Sequence, residues 1–241
     1  MSTNNNPIAS KIGATISGVT NTFTVTNPSN TASSAARKII SVGGASAGDP
    51  ALNFNVSGVT DFTMGIDNND SDNFKLAAST ALGTTDTVSV TTAGEHTLPL
   101  QPSFMAYTSG VIPNVTGDGT QYTIVFGTEA FDRGGDFDGT STFTCPVDGV
   151  YLLSASVAIE DITSAHTLGF IIINADFNYV IWDGSPAACR SSDTTLHVSG
   201  SVIGEFTAGT TCDVRVQVEN GALGVGIRSG RACRFQGCLL A

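Results

Sequence analysis

The sequence predicts an all-β protein, and three observations carry that prediction. Thr, Gly and Ser are abundant while only 13% of residues are charged, a mixture that suits short strands joined by tight turns rather than helices rich in Leu, Glu and Lys. Apolar residues recur at period two in successive short runs. Gly, Asn, Asp or Ser breaks each of these runs. With 41% hydrophobic residues the chain holds enough apolar surface to offset the entropy of ordering. Its 241 residues leave room for a sandwich of ~130 to 140 residues and a second, smaller unit.

Residues 1–15 are polar and contain Pro7, the profile of an N-terminal arm. Residues 16–95 read as a smaller β-rich domain, with half-buried strands at 22–26, 52–56 and 87–90. A faint echo links residues 16–20 with 56–60, too little to establish a repeat. Large apolar residues are sparse here, so this domain is expected to lean on neighbours, as a docking or stalk unit. Pro99 and Pro102 mark a linker over 96–103.

Residues 104–241 carry the denser pattern. Runs at 122–126, 143–145, 151–159, 168–173, 179–182, 196–203, 212–219 and 234–240 predict a two-sheet sandwich. Run 212–219 alternates cleanly, as in a strand with one wet face. Run 168–173 is apolar on both sides, which predicts that a neighbouring subunit covers its outer face. Phe170, Ile172 and Tyr151 are the candidate interface residues.

The run Phe143-Thr144-Cys145-Pro146-Val147-Asp148-Gly149-Val150-Tyr151 and the closing Phe235-Gln236-Gly237-Cys238-Leu239 resemble the globular head of the first complement component's recognition subunit. The tumour-necrosis-factor superfamily shares that fold. The resemblance implies a ten-stranded jelly roll, packed as a homotrimer and used for binding rather than catalysis. It departs from the animal members in lacking a Gly-X-Y collagen stalk and a signal peptide, and Cys238 stands where a large aromatic is usual. Residues 41–50 and 64–75 look like segments of tailed-bacteriophage fibre and virion-surface proteins.

A formal net charge of −11 disfavours nucleic-acid and anionic-membrane partners, and no stretch reaches the ~18 apolar residues of a membrane span. Five cysteines, none in a C-x-x-C pair, read as reduced thiols rather than a zinc site. Gly44-Ala45-Ser46-Ala47-Gly48 matches a nucleophile elbow formally, but Asp49-Pro50 and a strand follow where a helix is required. His96, His166 and His197 are scattered. No catalytic residues are therefore assigned. Asp132, Asp136 and Asp138, and the Asp67/Asp70/Asp72 cluster, are oxygen donors of the kind Ca²⁺ takes, with polar turns as the competing reading. Otherwise no cofactor is expected. Arg228, Arg231 and Arg234 are candidates for inter-subunit pairing or ligand contact.

These features predict a non-enzymatic virion structural protein of a tailed bacteriophage, made in the bacterial cytoplasm and placed on the virion surface. It is expected to be a homotrimeric projection, fibre, spike or head decoration, that docks to capsid or tail by its N-terminal part. Its jelly-roll knob would bind a host-surface glycan or protein. The alternatives are a cement protein clamping capsid subunits and a bacterial surface adhesin.

Overall fold

The computed structural model describes residues 24–241. The arm, the first copy of the echo and the start of the strand expected at 22–26 lie outside the described residues. Residues 24–26 themselves are not in a strand.

Five antiparallel strands come first, each paired with the next: β1 (Ala51–Val56), β2 (Thr60–Asp67), β3 (Asn73–Ala77), β4 (Asp86–Val90) and β5 (His96–Thr97). This meander is built inside out. Register sets Leu52, Met64, Leu76 and Val88 in one row and Ile66, Phe74 and Val90 in the next, with Phe54 opposite Phe62. That apolar face is open: Phe54, Phe62, Ile66 and Phe74 are all exposed. The opposite, polar face is the buried one. Thr63, Asp67, Lys75 and Ala77 lie beneath chain from 44–51 and 78–85, and a Cβ on Gly65 would stand 2.4 Å from the Pro50 carbonyl. At its centre Lys75 Nζ meets Asp67 at 2.9 Å, Asp70 at 2.7 Å and Asp86 at 3.0 Å. Burial alone would lower the lysine pKa, but the three carboxylates hold it above its ordinary value.

The linker is shorter than the prolines suggest. His96 and Thr97 pair with β4, and the next strand, β6 (Ser103–Thr108), opens at its far end. The remaining strands are β7 (Ile112–Thr116), β8 (Gln121–Thr123), β9 (Thr128–Arg133), β10 (Phe143–Thr144), β11 (Gly149–Glu160), β12 (Leu168–Asn174), β13 (Asn178–Gly184), β14 (Leu196–Phe206), β15 (Thr211–Glu219), β16 (Val225–Ile227) and β17 (Gly230–Leu239). One short helix, α1 (Pro186–Cys189), separates β13 from β14. The first sheet runs β10-β15-β12-β13 with β8 also on β15; the second runs β7-β16-β11-β17-β6-β9 with β14 on the other side of β11. From β11 to β12, β13 to β14, β14 to β15 and β15 to β16 the chain crosses from one sheet to the other. That alternation is the jelly-roll path.

Between the sheets Tyr151, Leu153, Val157 and Ile159 of β11 face Ile171 and Ile173 of β12 and Val214, Val216 and Val218 of β15, all buried. Phe104 stacks on Phe143 at 4.4 Å and meets Phe235 edge-on at 4.9 Å. Each such side chain contributes about 1.5–3 kcal/mol on burial. The two glycines of the sequence likeness have steric reasons. A Cβ on Gly149 would lie 2.6 Å from the Ala241 carbonyl, which receives the Val150 N–H at 2.7 Å, and one on Gly237 would lie 2.7 Å from Leu153 Cδ2. The strand turn at 146–149 thus closes only if the C-terminus can lie against it.

Candidate binding and assembly surfaces

The loops at the end of the knob away from the linker converge on one buried histidine. His166, 2% exposed, sits between β12 and the loop after β11. Its Nδ1 accepts the Thr163 N–H at 2.9 Å, so the ring proton lies on Nε2, which donates to the Ala222 carbonyl at 3.3 Å. The His166 carbonyl in turn accepts the Ala187 N–H at the start of α1. The ring lies so close on Gly221 that a Cβ there would meet it at 2.1 Å. Gly221 N–H continues to the Gly117 carbonyl. Four segments, 117–120, 161–167, 185–195 and 220–224, are thereby tied together, with Asn220 donating to Thr167 at 3.0 Å and Arg190 donating to the Ile162 carbonyl.

Backbone strain collects at the same end. Asp161, Thr194 and Asn220 hold φ of 62°, 65° and 69°. For β-branched Thr194 this is a costly conformation, held by its carbonyl accepting the Ile162 N–H at 3.1 Å and its N–H donating to Ser191. The platform displays Thr163, Ser164, Thr167 and Asn220 with Leu223, 51% exposed, among them. Short hydroxyl and amide groups around one apolar side chain, on loops fixed from beneath, suit recognition; the Thr163 hydroxyl also lies 3.2 Å from His166 Nδ1.

A second surface is the outer side of the β11 sheet. Leu152 lies between Ile203 and Cys238, Ser154 between Ser201 and Gln236, and Ser156 between Ser199 and Arg234. Leu152, Ser154, Gln236 and Cys238 border, with Met105 and Phe131, a shallow cleft of about 280 Å³. Ile203 and Phe131 are exposed. Three of the four serines already bond within the chain: Ser154 Oγ to Gly200 O at 3.3 Å, Ser156 Oγ to Ala232 O at 3.1 Å and Ser199 Oγ to Ser156 Oγ at 3.0 Å. Covering them leaves no new unsatisfied group.

The β12 face expected to be the interface is different. Tyr151 is wholly buried in the protomer's own core, its hydroxyl donating to the Val147 carbonyl at 2.8 Å. It has no surface to give a neighbour, because odd-numbered residues of β11 point inward. Ile172 is already buried within the chain, between Val180 and Arg215. Phe170 is half-buried between Asp183 and Gln217. Around them Arg215 pairs with Asp213 at 2.7 Å and Gln217 donates to Glu219 at 2.6 Å, a wet face that run 168–173 alone did not reveal.

The oxygen-donor clusters also resolve. Asp138 Oδ1 accepts the backbone N–H groups of Thr140, Ser141 and Thr142 at 2.8–3.0 Å. Burial would raise this carboxyl, but those bonds outweigh it and bring it to about 2. Asp132 Oδ2 accepts the Phe137 N–H at 3.0 Å, while Asp132 Oδ1 and Asp136 Oδ2 are buried without a hydrogen-bond partner. Burial, then the charge of Asp132, raises the Asp136 pKa. Among the described residues no group of three or more His, Cys, Asp or Glu is placed to hold a metal ion. In the Asp67/Asp70/Asp72 cluster, Asp67 and Asp70 bind the Lys75 ammonium. Arg228 reaches Glu160 at 3.4 Å and Arg231 lies over Tyr107. Ser46 lies in an exposed turn whose carbonyls accept from Asn68, with no helix following. All five cysteines are free, and no helix among the described residues is long and apolar enough to cross a membrane.

The architecture is thus an all-β meander followed by a jelly-roll knob. No protein-family model matches the chain, and no curated protein matches it. Among solved structures it is similar to the globular domain of zebrafish complement 1qA protein, at 17% identity, 58% of this chain, 98% of that one and a TM-score of 0.41. Murine APRIL at pH 8.5 aligns at 9% identity over 58% of this chain and 99% of that one, with a TM-score of 0.40; at pH 5.0 the figures are 12%, 58%, 99% and 0.41. The jelly-roll assignment itself stands on the strand order and register.

Proposed function

We propose that this protein is a non-enzymatic, homotrimeric binding projection: a knob whose far-end loop platform contacts the partner, carried on a β-meander at the attachment end. The His166-pinned platform carries this reading. Three copies of a modest site on one rigid body gain avidity without strong single contacts. The chemistry of the platform fits a host-surface glycan or protein. The outer face of β11 and β14, with Leu152, Ile203 and Cys238 in one row and Glu205 and Arg234 towards its margins, supports trimer formation there rather than on β12. The setting we assign is the surface of a tailed-bacteriophage virion, from the likeness of residues 41–50 and 64–75. A head-decoration role is the second reading, favoured by the short span between meander and knob.

Labelled full-length protein, tested on intact bacterial cells and on a glycan array, should bind through the platform. Leu223→Arg with Thr167→Arg should abolish binding with unchanged mass and melting temperature. Retained binding by that variant would remove the platform from the proposal. Cryo-microscopy of the particle separates the two settings, since density at capsid threefold positions supports decoration and excludes a tail-tip binder.

A further inference from the structure

The meander presents an open apolar face among the described residues. Phe54, Phe62 and Phe74 are 55%, 41% and 40% exposed, Val56 57% and Ile66 39%. These five leave on the order of 500 Å² of mostly apolar surface in water, as much as the largest patch on a typical monomer. All lie on one side of the sheet.

We infer that this face is covered by the same face of other copies of the chain. Two observations select that occupant. First, charge: the protein carries a formal net −11, yet apart from His96 at the far edge no ionisable side chain falls on this side of the meander, because register sends Asp61, Asp67, Lys75 and Asp86 to the other. A partner of opposite charge has nothing here to pair with. An identical copy brings an equally uncharged surface and pays no like-charge repulsion at the contact. Second, area: ~500 Å² per chain is more than half of the ~800 Å² per partner in a standard interface, and the β11 face supplies more. Flat sheet faces of this kind stack about 10 Å apart. The polar side needs no such cover, since the Lys75 network and the crossing loops already close it.

This deepens the homotrimer reading and does not depend on its being threefold. The test uses the full chain. Wild-type protein is measured by light scattering, by binding of the apolar dye ANS, and by hydrogen exchange of the β2 and β3 amides. The double variant Phe62→Lys/Phe74→Lys and a control, Thr80→Lys in an exposed turn, are measured alongside. We expect low dye binding and protected amides in wild type and control, and about tenfold faster β2–β3 exchange in the double variant. An oligomer with these properties supports the inference; if its mass is twice that of the chain, the inference stands and the trimer falls. Strong dye binding by a wild-type trimer, reduced by the lysines with exchange unchanged, overturns the inference and leaves the trimer. A wild-type monomer overturns both, and because the wild-type measurements decide, a double variant that fails to fold does not blunt the test.

Discussion

At the residue scale, two aspartates two positions apart in sequence make opposite predictions. Asp138 accepts three backbone N–H groups, so its charged form belongs to the fold. Its carboxyl is lowered from 3.8 to about 2, hence its contribution is present above the ordinary value and is lost as pH falls through that interval. Asp138→Ala should cost about 1 kcal/mol at neutral pH, the net worth of a typical hydrogen bond at an exposed site. Asp136 has a buried oxygen without a partner beside Asp132, and its pKa is raised. Here the neutral form suits the fold, so stability is lost as pH rises through the raised value. Asp136→Asn keeps the shape, removes the charge and offers an amide N–H to the orphaned Asp132 Oδ1; it should raise the urea midpoint at pH 7. Urea titrations at pH 7 and pH 3 check both, and a lowered midpoint for Asp136→Asn at pH 7 would mean that the carboxylate has a partner, a bound cation being the first to examine.

At the scale of elements, the meander hangs on Lys75. Replacing it with Met leaves Asp67 and Asp86 facing each other without a cation, a loss of roughly 3–5 kcal/mol for breaking a buried pair. The expected outcome is local: amides of β2 to β4 lose protection from exchange while those of β11 and β15 keep theirs. The same element shows what the sequence could and could not disclose. Alternation over 52–56 and 87–90 marked strands, but period two says only that two faces differ, not which is inside. The ordinary assumption put the apolar side inward, and the structure reverses it because Lys75 and its aspartates satisfy one another beneath the loops. In the knob the assumption holds, so β11, β12 and β15 were legible to within two residues at each end, while β14 runs three residues further and β17 starts four residues earlier than their apolar runs. β7 and β9 were not: Pro113 and a positive φ at Asn114 interrupt one, and Glu129, Asp132 and Arg133 make the other polar. The His166 platform was hidden for a different reason, since the ring and its Ala222 acceptor lie 56 positions apart and no local motif joins them.

At the scale of the whole molecule, assembly sets apolar attraction against charge. Each chain carries a formal −11, so gathering three copies concentrates like charge, while the strands of the meander face proposed to meet its copies present no ionisable side chain but His96. Self-repulsion of this kind acts over a Debye length, about 30 Å at 0.01 M salt and 8 Å at 0.15 M. Added salt should therefore strengthen assembly: the melting temperature should rise between those two ionic strengths and then level, and at low salt it should also rise with protein concentration, as mass action demands when subunits dissociate on unfolding. Differential scanning calorimetry across a salt and concentration grid measures both. A melting temperature that falls as salt is added would instead indicate ion pairs between subunits. In that case Arg231 and Arg234, on the β17 side of the β11 face, become the groups to substitute, with Glu205 on β14 as the first acidic partner to test.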